Sequence, residues 1–334
     1  MVTRIENMTE LAEFATALKA LGYTTVEQVA GTVEAASDDL ARYLNVDAHT
    51  LRAKFQLAPS AAALEFVRTR PASRSLGVRL ERIQHPRFAL MRAPGATANL
   101  PPEINLITEM APVRDQGERG TCVAHAATAV AEHYLRGTGR VVNLSRQFLY
   151  WNCKQHDGDP NDEGTWVAVA MARLVADGCC TEATWPYVMN KIVNNESQDP
   201  PPPSAAVEAE NFLMPRFQQL AATSISDIKV ELAEGHCVAF TIPVFNSWYR
   251  NDEVTRTGEI VNPIPGEADV SGHAMCFVGY KDVPEDIANG GGKFYLRNSW
   301  DSHWATSSVL GSAGYGTIPY SYIAATCREA YSIR

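Results

Sequence analysis

The chain has 334 residues, 46% hydrophobic and 20% charged, with a formal net charge of −9. This composition is globular and supplies core for two or three structural units, because single cores rarely grow beyond roughly 250–300 residues. The acidic balance argues against non-specific nucleic-acid binding, which needs a basic surface to neutralise phosphate, and no stretch approaches the ~20 consecutive apolar residues of a membrane span.

The N-terminal segment lacks an uninterrupted apolar run and carries Glu6, Glu10 and Glu13, so it does not read as a secretory signal. Residues 5–56 predict three or four short helices. Leu11, Phe14, Ala15, Leu18 and Leu21 follow helical apolar spacing, and Gly22 stops the run. Thr25 with Gln28 fits a capping box, and Ser37 and Asp47 are candidate caps for two further helices. Residues 1–56 therefore read as a small all-α module. A faint similarity of LGYTTVEQVA and DDLARYLNV to helix-hairpin-helix units is outweighed by the acidic balance, which favours packing or protein docking.

Residues 57–99 are mixed. APSAAALEF and RAPGATA resemble linker, whereas SLGVRLERI and RFALMR suit short strands or a segment lying on the rest of the protein.

The stretch VRDQGERGTCVAHAATAVAEHYLRG, Val113 to Gly137, predicts a turn followed by an alanine-rich helix that opens at Cys122 and stops at Gly137. A cysteine in the first helical turn faces unpaired N–H groups and the positive dipole end, which favour thiolate over thiol. Downstream, Ser145 is a helix cap, 166–177 reads as a helix, and 190–205, containing Pro200 to Pro203, reads as a surface loop. Ile225 to Ala233 predicts a helix and Val238 to Val244 a strand. Gly290-Gly291-Gly292 reads as a hairpin loop and not as a phosphate cradle, since no helix follows it. Seven cysteines, an odd number, suggest free thiols and a reducing compartment. Cys153-x-x-His156 with Cys179-Cys180 does not make a standard four-ligand zinc pattern, so no metal or other cofactor is expected.

Three segments together resemble the papain-like cysteine peptidases. The first is Gln116-Gly117 followed by Gly120-Thr121-Cys122. The second is GHAMCFVGY, Gly272 to Tyr280, similar to the family's His-Ala strand. The third is FYLRNSWDSHW, Phe294 to Trp304, similar to its Asn-Ser-Trp segment. The order Gln, Cys, His, Asn is the family's, and His273 follows Cys122 by 273 − 122 = 151 positions, near the roughly 130–150 expected. The resemblance covers about residues 100–334. Around the cysteine, Arg119, Thr121 and Val123 depart from the family's usual Cys, Ser/Ala and aromatic residue. Arg119 stands where secreted members have a half-cystine, and Glu118 and Arg119 put charges on the turn near the oxyanion hole.

The resemblance implies an α+β, two-lobed fold: a helical left lobe over 100–212 and an antiparallel β right lobe over 213–334, preceded by the helical module and by 57–99 as linker or cleft-crossing arm. It implies Cys122 as nucleophile, His273 as acid and base, Asn298 orienting His273, and Gln116 donating to the oxyanion. Gly164, Gly272 and Trp300 would line or cover the cleft, which would take a protein or peptide substrate. In papain-like zymogens a pro-region crosses the cleft. The family's usual pro-region motif is not visible in 57–99, so docking of a protein partner by the N-terminal module is favoured over blocking. The competing functions are an acyltransferase or deamidase using the same residues, and a catalytically weak interaction protein. The expected location is cytoplasmic, or exported as an effector without a classical signal peptide.

Overall fold

The computed structural model describes residues 3–55, 75–81, 99–192 and 195–334. RFALMR, APSAAALEF and RAPGATA lie outside them, as do the last two residues of SLGVRLERI.

The N-terminal module contains α1 (Ala15–Ala20), α2 (Val26–Leu44) and α3 (Ala48–Lys54). The Thr25/Gln28 capping box forms in full at the start of α2, and Asp47 accepts from the Thr50 amide at the start of α3. Near Ser37 a further helix does begin: the helical geometry breaks at Ala36, so α2 is two helices joined across a kink, with Ala36 rather than Ser37 as the non-helical residue between them. Ile5, Leu18, Tyr23, Val29 and Leu40 are fully buried.

The region from residue 99 onward enters through the sheet. Strand β1 (Glu103–Asn105) pairs with the long strand described below, before any helix of the left lobe is built. The left lobe then follows as α4 (Cys122–Gly137), α5 (Arg146–His156), α6 (Val167–Ala176) and α7 (Pro203–Ala209). Ser145 caps α5 by accepting from the Phe148 amide. Helix α7 starts inside the stretch read as loop, because Pro203 occupies its first position, where a missing N–H costs nothing.

The right lobe comprises β2 (Phe217–Gln219), α8 (Ile225–Ala233), β3 (Val238–Phe245), α9 (Asn246–Tyr249), α10 (Asp252–Thr257), β4 (Asp269–Asp282), β5 (Gly292–Arg297), β6 (Tyr315–Pro319), α11 (Tyr320–Thr326) and β7 (Glu329–Ile333). The strands form one antiparallel sheet in the order β2-β7-β3-β4-β5-β6, with β1 added to β4. Every residue of β3 is buried. Phe240 of β3 stacks on Phe277 of β4 with ring centroids 3.5 Å apart. The helical lobe leans on the sheet through α4 against β4, and Glu329 of β7 accepts from the Val167 and Ala168 amides that open α6.

The module is not a detached bead. Helix α2 packs on α9 and α10. Asn251 donates to Thr32 at 3.2 Å, Asn262 to the Leu21 carbonyl at 3.2 Å, and Asn289 to the Gly22 carbonyl at 3.3 Å. Among the described residues no helix is long and apolar enough to cross a membrane.

Candidate active site

Cys122 is the first residue of α4, and Thr121 before it supplies no side-chain cap. The small side chains of Ala124, Ala127 and Ala131 let α4 sink fully between α5, α6 and the sheet. The thiol is fully buried. Burial pushes it up to about 11, against backbone hydrogen bonds from Ala274, Gly77, Val123 and its own amide that favour thiolate.

His273 lies on β4, in register with Ile242. Its Nε2 meets Asn298 Oδ1 at 2.8 Å. A carboxamide oxygen only accepts, so Nε2 carries the proton and Nδ1 is left bare. Burial holds the imidazole down to about 4, while the Asn298 bond works the other way. The Trp300 ring stacks over His273 with centroids 4.7 Å apart, and Trp248, Tyr249 and Trp304 pack around Trp300. Asn298 Oδ1 also accepts from the Ser299 amide at 2.8 Å, which fixes the carboxamide plane.

Gln116 is fully buried beside the thiol's turn. Ser299 Oγ donates to its Oε1 at 2.6 Å, and this sets its Nε2 facing outward as a donor. That Nε2 donates to the carbonyls of Arg119 and Ser75, both at 2.9 Å. Ser299 was not singled out in the sequence, although it is the neighbour of Asn298 in the quoted segment.

Ser75 belongs to a short arm, Ser75–Glu81, that runs through the cleft. The Thr165 amide donates to the Gly77 carbonyl, the Arg79 amide to the Thr165 carbonyl, and the Val78 amide to the Gly272 carbonyl, at 3.2–3.3 Å. The arm thus pairs with one lobe at Thr165 and the other at Gly272. A side chain at Gly77 would place its Cβ 2.0 Å from the Gly120 carbonyl oxygen. Gly164, at φ +86°, touches Gly77 from the other wall and could not carry a Cβ without meeting its carbonyl at 2.7 Å. Arg79 pairs with Asp159 and rests over the Trp166 ring. Glu163 accepts from the Gly120 amide at 2.6 Å, from Ser75 Oγ at 3.1 Å and from Lys191 at 2.7 Å. Gly164 and Gly272 therefore meet a peptide backbone, here the chain's own. Trp300 serves His273, over which its ring stacks.

Arg119 corrects one expectation. It does not charge the cleft, because its guanidinium is buried, 1% exposed. It donates to Gln147 Oε1 at 2.6 Å, the Val188 carbonyl at 2.9 Å and the Glu196 carbonyl at 3.0 Å, between the rings of Tyr150 and Tyr187. All seven cysteines are free thiols. Among the described residues no group of three or more His, Cys, Asp and Glu side chains is arranged to hold a metal ion.

A helical lobe opening on a buried cysteine, facing a sheet that carries a histidine–asparagine pair, is the papain-like class of fold. Residues 100–321 match the model of the papain family of cysteine proteases. The chain is 30% identical over 220 residues to an uncharacterised peptidase C1-like protein of Acanthamoeba polyphaga mimivirus, a match spanning 63% of this chain and 65% of that protein. It is 26% identical over 208 residues to human cathepsin L2, spanning 60% and 56%. The crystal structure of xylellain, a cysteine protease from Xylella fastidiosa, resembles it with a TM-score of 0.67 at 25% identity, covering 79% of this chain and 97% of that one. The chain spans about two thirds or less of the length of the curated relatives it matches. It belongs to the papain family of cysteine proteases.

Proposed function

We propose that the protein hydrolyses peptide bonds through Cys122. In this reading His273 takes the thiol proton on its bare Nδ1 as the sulfur attacks the carbonyl carbon, and returns it to the leaving amine. Asn298 holds the Nε2–H tautomer, as an orienting partner must. Gln116 Nε2 donates to the developing oxyanion together with the Cys122 amide. Water then attacks the thioester while His273 takes a proton from it, and the acid is released as His273 returns that proton to the departing Cys122 sulfur. The observation that carries the reading is the Gln116–Ser75 contact. A peptide carbonyl already rests on the donor assigned to the oxyanion, beside a thiol and an oriented imidazole.

The covered cleft adds a second element. With the arm in place the thiol and imidazole are dehydrated and both neutral at pH 7. Hydrolysis therefore requires Ser75–Glu81 to leave, which turns the expectation for 57–99 from docking towards blocking. The test is labelling by an active-site-directed thiol probe, with Cys122→Ala as control, before and after limited proteolysis of the full chain, followed by cleavage of a peptide library. Labelling that depends on Cys122 and rises with proteolysis, together with peptide cleavage, supports the reading. Labelling without any peptide cleavage would move the protein to acyl transfer or deamidation.

A further inference from the structure

Against Asn298 and Ala274, the neighbour of His273, lies a small cavity with room for one atom-sized guest. Its walls include Arg114, Arg146, Arg297, His125 and Asn298. Its charges do not balance. Three guanidinium groups face two carboxylates, Glu132 and Glu182. Arg146 takes both, pairing with Glu132 at 2.7 Å and standing 3.8 Å from Glu182. Among the described residues neither Arg114 nor Arg297 has a carboxylate within ion-pair distance. Arg297 is 5% exposed; it donates to the Pro112 carbonyl at 2.6 Å and lies beside the Tyr315 hydroxyl.

The polar atoms left over around this space are four donors, with the free Oε2 atoms of Glu132 and Glu182 on the Arg146 side. Arg297 Nε, Arg114 Nε, Arg146 Nε and Asn298 Nδ2 are buried without a hydrogen-bond partner. His125 Nδ1 meets the Thr121 carbonyl at 3.0 Å, so its Nε2 is a bare acceptor, also without a partner. An unpaired buried guanidinium costs several kcal/mol, so such sites recruit a counter-charge.

We infer that this cavity binds one small monoanion of the halide class, chloride, on the N–H groups of Arg297 and Asn298, with Arg114 on the outer side. The anion supplies the missing negative charge. It also gives Asn298 Nδ2 an acceptor, so the carboxamide whose Oδ1 holds His273 is fixed at both ends. Asn298 is thereby a link between the anion and the imidazole. A neutral water would satisfy single N–H groups but leave the excess positive charge unbalanced.

The experiment uses the full-length protein at constant ionic strength, exchanging sodium gluconate for sodium chloride or bromide. The thermal midpoint is read, which does not depend on catalysis. The expected result is a rise on the order of 2–4 °C with halide and none with gluconate, and an anomalous bromide peak between Arg297 and Asn298 in crystals. Arg114→Gln removes one cation from the half-buried rim without opening the core. It should lose most of the halide-dependent rise, and Arg297→Gln should lose it as well. Coincident chloride and gluconate curves, with a water and no bromide peak in the cavity, would overturn the proposal even if the protein proves to be an active peptidase.

Discussion

The Gln116 side-chain amide donates to the Ser75 carbonyl at 2.9 Å across 41 positions of sequence. The donor we propose for a substrate's oxyanion is therefore already spent on the chain itself, and under that proposal what frees it decides when the thiol can work.

Gly77 is the tightest point of that closure. A methyl there would sit 2.0 Å from the backbone oxygen of Gly120, and neither backbone can rotate aside as a side chain would. Gly77→Ala should cost the covered state about 1–3 kcal/mol, and thiol-probe labelling of Cys122 should rise between about fivefold and a hundredfold. Unchanged labelling with an intact fold would show that the arm does not gate the thiol.

Cys122→Ala should leave a folded protein and remove peptide cleavage by several orders of magnitude. Measured on the Gly77→Ala background, where the cleft is open, the loss cannot be hidden by the arm. Retained turnover would reject the nucleophile.

The covered pair also has a pH signature. Burial lifts Cys122 to about 11 and lowers His273 to about 4, so alkylation of the covered chain should be slow at pH 7 and climb steeply above pH 9. Displacing the arm rehydrates both groups and should move the inflection to lower pH. The lowered His273 stabilises the fold above about pH 6.5, the unfolded value, and that contribution is lost as pH falls towards 4. His273→Asn should flatten this acid limb of a stability–pH curve.

Glu329 acts in the opposite sense. Burial raises it to about 7, against its bonds from the Ala168 and Val167 amides. The native state then holds a proton that the unfolded chain has released, so its contribution is full below about pH 4.5 and is lost as pH rises to about 7. Glu329→Gln should remove that slope, read as chemical-denaturation midpoints across pH 4–8. A slope unchanged in the variant would assign it to another group.

Arg119→Met keeps much of the side-chain volume but leaves the Val188 and Glu196 carbonyls and Gln147 Oε1 without their shared donor. The expected cost is about 3–5 kcal/mol by urea unfolding, with faster proteolysis between Val188 and Glu196. A cost below about 1 kcal/mol would show that the three acceptors find other donors.

The parts that local chemistry specifies were legible in the sequence. The alanine run placed α4 and its opening cysteine, Thr25 with Gln28 placed the start of α2, and Ser145 that of α5. His273 and Asn298 were found by resemblance of whole segments, and the 2.8 Å contact between them follows from β4 and β5 being neighbours. What stayed hidden depends on contacts between distant positions. Nothing local at Gly77 reveals Gly120 against it, 43 positions on. Arg119 read as a charge on the turn near the oxyanion hole, because its acceptors at Val188 and Glu196 are backbone carbonyls with no side-chain signature. The module read as self-contained, yet Asn251, Asn262 and Asn289 hold it to the right lobe.

That docking has a consequence for the arm. The module fixes the chain at Phe55 on one side of Ser75–Glu81, and β1 fixes it just beyond Asn99 on the other, leaving 56–74 and 82–98 as the connections. The cleft's occupant is therefore tethered at both ends, and its grip rests on an effective concentration set by the chain and not on the concentration in solution. Dilution cannot loosen it. One cut in either connection leaves the segment attached by the other and able to rebind, so lasting exposure of Cys122 takes two cuts, or a competitor that outbinds a tethered rival.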